Sequence, residues 1–354
     1  MSILNETIAA IAPLDDDAAR AAEQRLNSLT KPAGSLGCLE DIVRRYAAIR
    51  HDGSAQMGRG AIAVFVADHG VAAEGVSAFP QTVTAEMLRN IASGGAAISV
   101  LARRFGYALK VIDVGVKVDT SATPLDDVIY RRIGAGTANL AQTPAMTPTE
   151  TTRALEVGIE VARDLARSGA TLIGIGEMGI ANRTSAAAIL SAITRIAPTA
   201  MVGRGTGLDD AGIRHKTAVV VRALERHRGA LDNGESMLAA LGGFEIAAMA
   251  GVCLAGAAAN VPVVVDGFIA TASAAIAEKI RPGLFEHLFF SHRSAEGGHA
   301  LALEFFKVRP ILDLDLRLGE GTGAALAMNV IQSALALFHN MATFASAGVT
   351  GKVR

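Results

Sequence analysis

TPTETTRALEVGIEVARDLARSGATLIGIGEMG (residues 147–179) holds a helix, both of its boundaries and a strand in one run. Thr147-Pro148-Thr149-Glu150 is a capping box with proline at the first helical position. The threonine hydroxyl and the glutamate carboxylate each satisfy an N–H that a helix start leaves without a partner. Gly169 is suited to the left-handed residue that ends such a helix. ATLIGIG (170–176) follows at once and is apolar almost throughout, as a strand covered on both faces must be.

The same alternation runs outward in both directions. AIAVFVADHG (61–70), LKVIDVGV (109–116), TAMVGRGTG (199–207), VPVVVDGF (261–268), HLFFSHRS (287–294) and PILDLDLRLGEGTG (310–323) read as further strands, with helical patterns between most of them. Strand–helix alternation predicts an α/β fold: a Rossmann-like, mostly parallel sheet with helices on both faces. The first fifty residues differ. Leu36, Leu39, Ile42, Val43, Tyr46 and Ile49 recur at helical spacing, and the tail from Gly323 to Ala347 is helical too. A small helical domain built from both ends (1–55 and 323–354) around an α/β body (56–322) is the expected division. Thr120–Thr147, with Pro124 and Pro144, is the expected long loop.

Bulk properties narrow the function. A chain of 354 residues, 51% hydrophobic, can bury one large core or one large and one small. The net charge of −1 and the lack of a Lys/Arg run argue against a nucleic-acid partner. Cys38 and Cys253 have neither metal-site spacing nor disulfide-scaffold density, and reduced thiols fit a cytoplasmic protein. The N-terminus lacks the basic and apolar regions of a signal peptide. Ile246–Val265 is uncharged and long enough to span a bilayer. Asn260-Val261-Pro262 divides it into a small-residue helix and a strand, so no membrane insertion is expected.

Ligands of open parallel sheets bind beyond the carboxyl ends of the strands. Those ends deliver Asp68 and His69; Gly176, Glu177 and Gly179; Gly203, Arg204 and Gly205; Asp266; Ser291, His292 and Ser294; and Arg317, Gly319 and Glu320. Together they suggest a pocket for a polar, phosphorylated ligand. GRGTG (203–207) and GEGTG (319–323) are either phosphate-binding turns or tight turns needing positive φ. Lys216 is either a phosphate counter-charge or a solvated helix residue. GIGEMG (174–179) matches G-x-G-x-x-G, but Gly203-Arg204-Gly205 stands where a dinucleotide site wants an acidic residue, which leaves only an NADP version open. No P-loop, HExxH or G-x-S-x-G occurs. His69, His292 and His299 read as structural hydrogen-bonding groups, and no metal or other cofactor is expected.

The motifs converge when taken together. KPAGSLG (31–37), ADHGVAAEGVSAFPQ (67–81), GIGEMGIANRTSA (174–186), GRGTGLDD (203–210), HKTAVV (215–220), ALGGFEIAAMAG (240–251), VVVDGFIA (263–270), SHRSAEGGHA (291–300) and LDLRLGEGTGAALA (314–327) resemble the nicotinate-nucleotide–dimethylbenzimidazole phosphoribosyltransferase family along nearly the whole chain. The resemblance implies a homodimer that moves the 5-phosphoribosyl group of nicotinate mononucleotide to 5,6-dimethylbenzimidazole, giving α-ribazole 5′-phosphate in cobalamin lower-ligand assembly. It makes Glu320 the proton acceptor and puts Glu177 in the pocket, where Glu177 is the second catalytic candidate, a backup base. It implies ribose-phosphate contacts at Gly176, Gly203, Lys216 and Ser294, and base contacts at Ser77 and Leu318. Gln81, Gly179, Arg204, Gly205, Asp266 and Ser291 complete the expected substrate contacts. The chemistry asks for no more than one carboxylate, because nicotinate leaves as a neutral aromatic nitrogen and only the incoming azole must lose a proton.

Overall fold

The computed structural model describes residues 2–56, 58–205 and 207–350. Thr206 of the GRGTG turn and residues 351–354 of the expected C-terminal segment lie outside these. Six strands form one parallel sheet: β1 (Arg59–Ala67), β2 (Ala108–Gly115), β3 (Val128–Tyr130), β4 (Ala170–Met178), β5 (Val263–Val265) and β6 (Leu288–Phe290). Their order is β3-β2-β1-β4-β5-β6, so the chain reverses direction across the sheet between β1 and β4. That is the topological switch point, where connections leave to opposite sides and a crevice opens at the strand ends.

The two faces can be read off β1. Ala61, Ala63, Phe65 and Ala67 enter one buried cluster, and Ile62, Val64 and Val66 enter the other. Successive side chains point to opposite faces of a strand, so both sets are apolar only if both faces are covered. Helices Pro148–Arg167, Asn182–Thr194, Phe244–Ala258 and Phe268–Ile280 supply the first cluster. Helices Cys38–Arg50, Thr82–Ala92, Ala97–Phe105 and Thr322–Asn340 supply the second.

The capping box is formed as expected. Thr147 Oγ1 accepts from the Glu150 N–H at 3.2 Å, and Glu150 Oε2 accepts from the Thr147 N–H at 2.8 Å. Gly169 ends the connection with φ +91°. Helices Pro148–Arg167 and Phe244–Ala258 cross so closely that a Cβ on Gly158 would lie 1.8 Å from the Ala248 carbonyl oxygen. The abundant small residues serve this contact. The apolar run 246–265 is a helix buried up to Ala257, a turn at Asn260 (φ +54°) and strand β5, next to the edge strand β6. Helix Thr322–Asn340 is itself long and apolar enough to cross a membrane, but it packs along the sheet.

Residues 25–30 meet the C-terminal segment on the second face, whereas Leu4 and Ile11 of the same N-terminal segment enter the first cluster. The Arg25 guanidinium donates to the carbonyls of Phe338 and His339, each at 3.0 Å, and lies over the Phe338 ring. The Thr30 N–H donates to Ala342 O at 2.9 Å.

Three local expectations fail. Residues 199–207 are not a strand: Pro198 starts a short helix, Pro198–Met201, and the glycine turn follows. A fixed proline φ favours a helix start over an extended residue. Residues 310–323 form no strand: they meet the sheet through isolated contacts, a bridge between His292 and Leu312 and the Ile311 N–H to Phe290 O at 3.0 Å, and the Glu320 N–H to Glu177 O at 3.2 Å. The alternating charges Asp313, Asp315 and Arg317 keep this segment at the surface, and Asp315 is left-handed (φ +55°), which breaks a ladder. Conversely, the expected loop 120–147 contains edge strand β3.

Candidate active site

The C-terminal ends of β1, β4, β5 and β6 and the 317–323 turn converge on one crevice. Glu177 stands near the end of the β4 ladder, paired in register with Phe65. Its side chain is buried, and Asn182 Nδ2 donates to its Oε2. Burial pushes the Glu177 carboxyl up to about 8, with Arg183 pulling down and Glu245 and Asp266 adding to the rise. Glu177 therefore holds a proton near neutral pH.

Glu320 belongs to the 317–323 turn. Its N–H donates to Glu177 O at 3.2 Å, which lays the turn across the end of β4. Two glycines permit that approach. A Cβ on Gly176 would sit 2.3 Å from the Gly321 nitrogen, and one on Gly319, whose φ is +93°, would sit 2.5 Å from Glu177 Oε1. Glu320 is itself left-handed, φ +62°, at a cost of about 1 kcal/mol that a non-glycine residue does not bear without support. Its carboxylate is buried, and Oε2 has no hydrogen-bond partner among the described residues.

A carboxylate at a helix start is usually a cap, with a lowered pKa. Here Asp266 has that role instead. Its Oδ2 accepts from the Gly321 N–H at 3.1 Å and its Oδ1 from the Ala324 N–H at 2.9 Å. Glu320 is thus free of the helix it precedes. Burial first, and then the Asp266 charge, raise its pKa above the ordinary carboxylate value. A buried, unpartnered carboxylate with raised pKa is what a general base near neutral pH needs.

The opposite side of the crevice is cationic. Lys216 is buried, and desolvation brings its ammonium down to about 8, Glu296 opposing the fall and Arg183 adding to it. Gly205 lies against both cations: a Cβ there would stand 3.4 Å from Lys216 Nζ and from Arg183 Cδ. Arg183 also donates to the Arg317 carbonyl at 2.8 Å. Glu177, Arg183, Asp266, Ser294, Glu296 and Arg317 line a cavity of only about 20 Å³, roughly the room of one water. A cavity of about 1100 Å³ lies elsewhere, beside helix Gly234–Leu241, and none of the candidate residues lines it. The candidate residues cluster at the switch point, so the small crevice is the candidate site.

A phosphoribosyltransferase family model matches residues 11–349. The chain belongs to this phosphoribosyltransferase family. A relative from Chloroflexus aurantiacus, a nicotinate-nucleotide–dimethylbenzimidazole phosphoribosyltransferase, is 48% identical over 353 residues, 100% of both chains. One of the same name from Chromobacterium violaceum is 50% identical over 340 residues, 96% of this chain and 98% of the relative. The solved structure of CobT from Thermus thermophilus superposes with a TM-score of 0.90 at 47% identity, covering 95% of this chain and 100% of that one.

Within this phosphoribosyltransferase the expected residues fall into three groups. Glu177, Asp266 and Ser294 line the crevice, and Glu320, Gly203, Gly205 and Lys216 stand against residues that line it. Ser291, Gly176, Gly179 and Gln81 lie behind these. Ser291 Oγ donates to Asp266 O, and Gln81 Nε2 donates to His69 O at 2.8 Å. Gly179 makes room for the Ala67 carbonyl, which a Cβ would approach to 2.3 Å. Ser77 Oγ accepts from the Phe79 N–H at 3.2 Å on the half-exposed 77–81 turn, and Leu318 is exposed. Arg204 is not brought in; its guanidinium is exposed and pairs with Asp210 at 2.6 Å.

The dinucleotide reading of GIGEMG is overturned. Those glycines lie mostly inside β4, not in a turn opening a helix, and helix Asn182–Thr194 starts only later. Gly174 is small to admit Met328, and Gly176 to admit the 317–323 turn. His69, His292 and His299 each have a hydrogen-bond or ion-pair partner inside the fold, and His292 also lines the crevice. His299 Nδ1 accepts from the Ser294 N–H at 2.9 Å, and burial holds its pKa at about 3. His69 Nε2 meets Glu245 Oε1 at 2.5 Å with both side chains fully buried. Glu245, Arg183 and Glu296 were not singled out in the sequence. Arg183 and Glu296 lie several residues beyond the ends of β4 and β6, and Glu245 lies in the first turn of helix Phe244–Ala258, where neither periodicity nor strand position marks them.

Proposed function

We propose that this chain transfers the 5-phosphoribosyl group from nicotinate mononucleotide to 5,6-dimethylbenzimidazole, releasing nicotinate and forming α-ribazole 5′-phosphate for the cobalamin lower ligand. The observation that carries this reading is Glu320: buried, with Oε2 unpartnered among the described residues, raised in pKa, and held by its own turn against Glu177, which lines the crevice. The C1′–N bond to nicotinate breaks and its electron pair returns to the pyridine nitrogen. A benzimidazole nitrogen bonds C1′ from the opposite face, which converts a β-glycoside to an α-glycoside. Positive charge spreads over the azole, its other N–H becomes acidic, and Glu320 takes that proton. Glu177 is protonated near neutral pH and does not compete for it. No step requires a metal.

The GRGTG turn, Lys216 and Ser294 are the proposed contacts for the ribose phosphate; Ser77 and Leu318 are the proposed contacts for the base. The terminal segments 1–55 and 323–354 are read as one small helical domain on the α/β body 56–322, a division that the Arg25 and Thr30 contacts with the C-terminal segment support. A homodimer in the cytoplasm is the proposed working form, in keeping with the two unpaired cysteines.

Incubation with nicotinate mononucleotide and dimethylbenzimidazole, followed by chromatography and proton NMR of the anomeric position, tests the reaction. The expected product is the α-nucleotide, formed one for one with nicotinate. Unconsumed donor, or a β-configured product, contradicts the proposal.

A further inference from the structure

The cations proposed for the donor's phosphate already face an anion. Glu296 lies just beyond β6 and is buried. Its Oε1 accepts from the Gly205 N–H at 3.2 Å, and its Oε2 stands 3.7 Å from Arg183 Nε. A Cβ on Gly203 would meet Oε1 at 2.3 Å, so the carboxylate lies flat against the GRGTG turn. Lys216 Nζ and Arg183 Cδ flank the same turn at Gly205. One carboxylate, two cations and a turn N–H thus share one small volume. Arg204, the other cation of the motif, is turned away toward Asp210.

We infer that Glu296 is a resident counter-ion of the phosphate site, which holds the GRGTG turn and its two cations in the ligand-free protein and is displaced from the Gly205 N–H when the donor's 5′-phosphate enters. This rests on the phosphate assignment above. A carboxylate and a phosphate oxygen accept the same charge-assisted hydrogen bonds. They cannot both have one N–H, and two anions forced together in a dry site repel strongly. While Glu296 stays in place, its charge also opposes the loss of the Lys216 proton that burial favours. The pocket that includes Glu296 and Arg183 has room for little more than a water, so entry of the donor requires that they separate. A dianion supplies the force for that; the same nucleoside without its phosphate does not. Glu296 is therefore a specificity-determining residue, selecting phosphorylated donors.

Calorimetric titration with inorganic phosphate at about pH 7.2, where roughly half of it is the dianion and Lys216, at about 8, still keeps its proton, tests this. Glu296→Gln is expected to bind phosphate about tenfold more tightly than the wild type, because the competing charge is gone. Equal or weaker binding overturns the inference, since a carboxylate that merely shapes the turn would leave a worse site when neutralised. Should Glu296→Gln not fold, Glu296→Asp serves. Its carboxylate retreats by one methylene from the Gly205 N–H and is expected to give a smaller tightening; no tightening overturns the inference equally. Lys216→Met separates this from the parent reading. If Lys216→Met binds phosphate as the wild type does, the phosphate assignment falls and this inference with it. If Lys216→Met loses phosphate binding while neither Glu296 variant tightens it, only the counter-ion role falls.

Discussion

Glu320→Gln is expected to lower kcat by about 10²-fold or more while leaving the unfolding transition and the KM for nicotinate mononucleotide little changed. The substitution is nearly isosteric, so the turn that lies across β4 through the Glu320 N–H is retained. The left-handed backbone at Glu320 is retained as well, and no strain is added or relieved. What disappears is the proton acceptor. An amide oxygen accepts a hydrogen bond but not a proton, so the azole cation must lose its proton to water in a crevice that holds little water. Steady-state kinetics with both substrates varied checks this. A kcat within a few-fold of wild type would mean that the proton leaves by another route, and Glu177 is then the group to replace.

Asp266→Ala is expected to destabilise the protein by about 3 kcal/mol. Asp266 is buried and caps helix Thr322–Asn340 through the Gly321 and Ala324 N–H groups. Alanine leaves both donors buried without partners at the positive end of a nineteen-residue helix that packs along the sheet. Burial raises the Asp266 pKa, with His292 and the helix N–H groups pulling the other way, so the carboxylate is held by these partners against its desolvation. Asp266→Asn keeps one acceptor oxygen and is expected to lose less. Urea unfolding midpoints for the two variants check the order. An unchanged midpoint in Asp266→Ala would mean that water or a neighbour replaces the cap.

How much of this was legible in the sequence differs by element. Helix 148–167 and strand 170–178 were readable because local signals coincide there: a capping box, a terminal glycine and an uninterrupted apolar run. The parallel sheet followed from repeating that pattern. Residues 199–207 and 310–323 misled because β-branched and aliphatic residues near strand-like glycine turns say nothing about which segments find a ladder partner. Pairing is a tertiary outcome, and Pro198 and left-handed Asp315 decided it locally. Edge strand β3 is three residues long, too short for periodicity to register.

For the site, position at strand ends picked out Glu177, Asp266 and Glu320 together but could not rank them. The difference lies in hydrogen bonding: Asp266 is held by two N–H groups, Glu177 is held by Asn182, and Glu320 Oε2 has no partner among the described residues. Glu296 was invisible for the opposite reason. Its partners, Gly205 and Arg183, are roughly a hundred residues away in the chain, and no local pattern brings them together.

The pH dependence of kcat with both substrates saturating, measured side by side for the wild type and Glu320→Gln, tests the central claim most directly. Glu320 must be ionised to accept the azole proton, and its folded pKa is raised above the ordinary 4.5. Wild-type activity should therefore fall as pH drops through a midpoint above 4.5, with a slope of one proton, and this acid limb should vanish in Glu320→Gln, leaving a low, flat rate. An acid limb that persists unchanged in the variant would assign the proton to a different group and contradict the role given to Glu320.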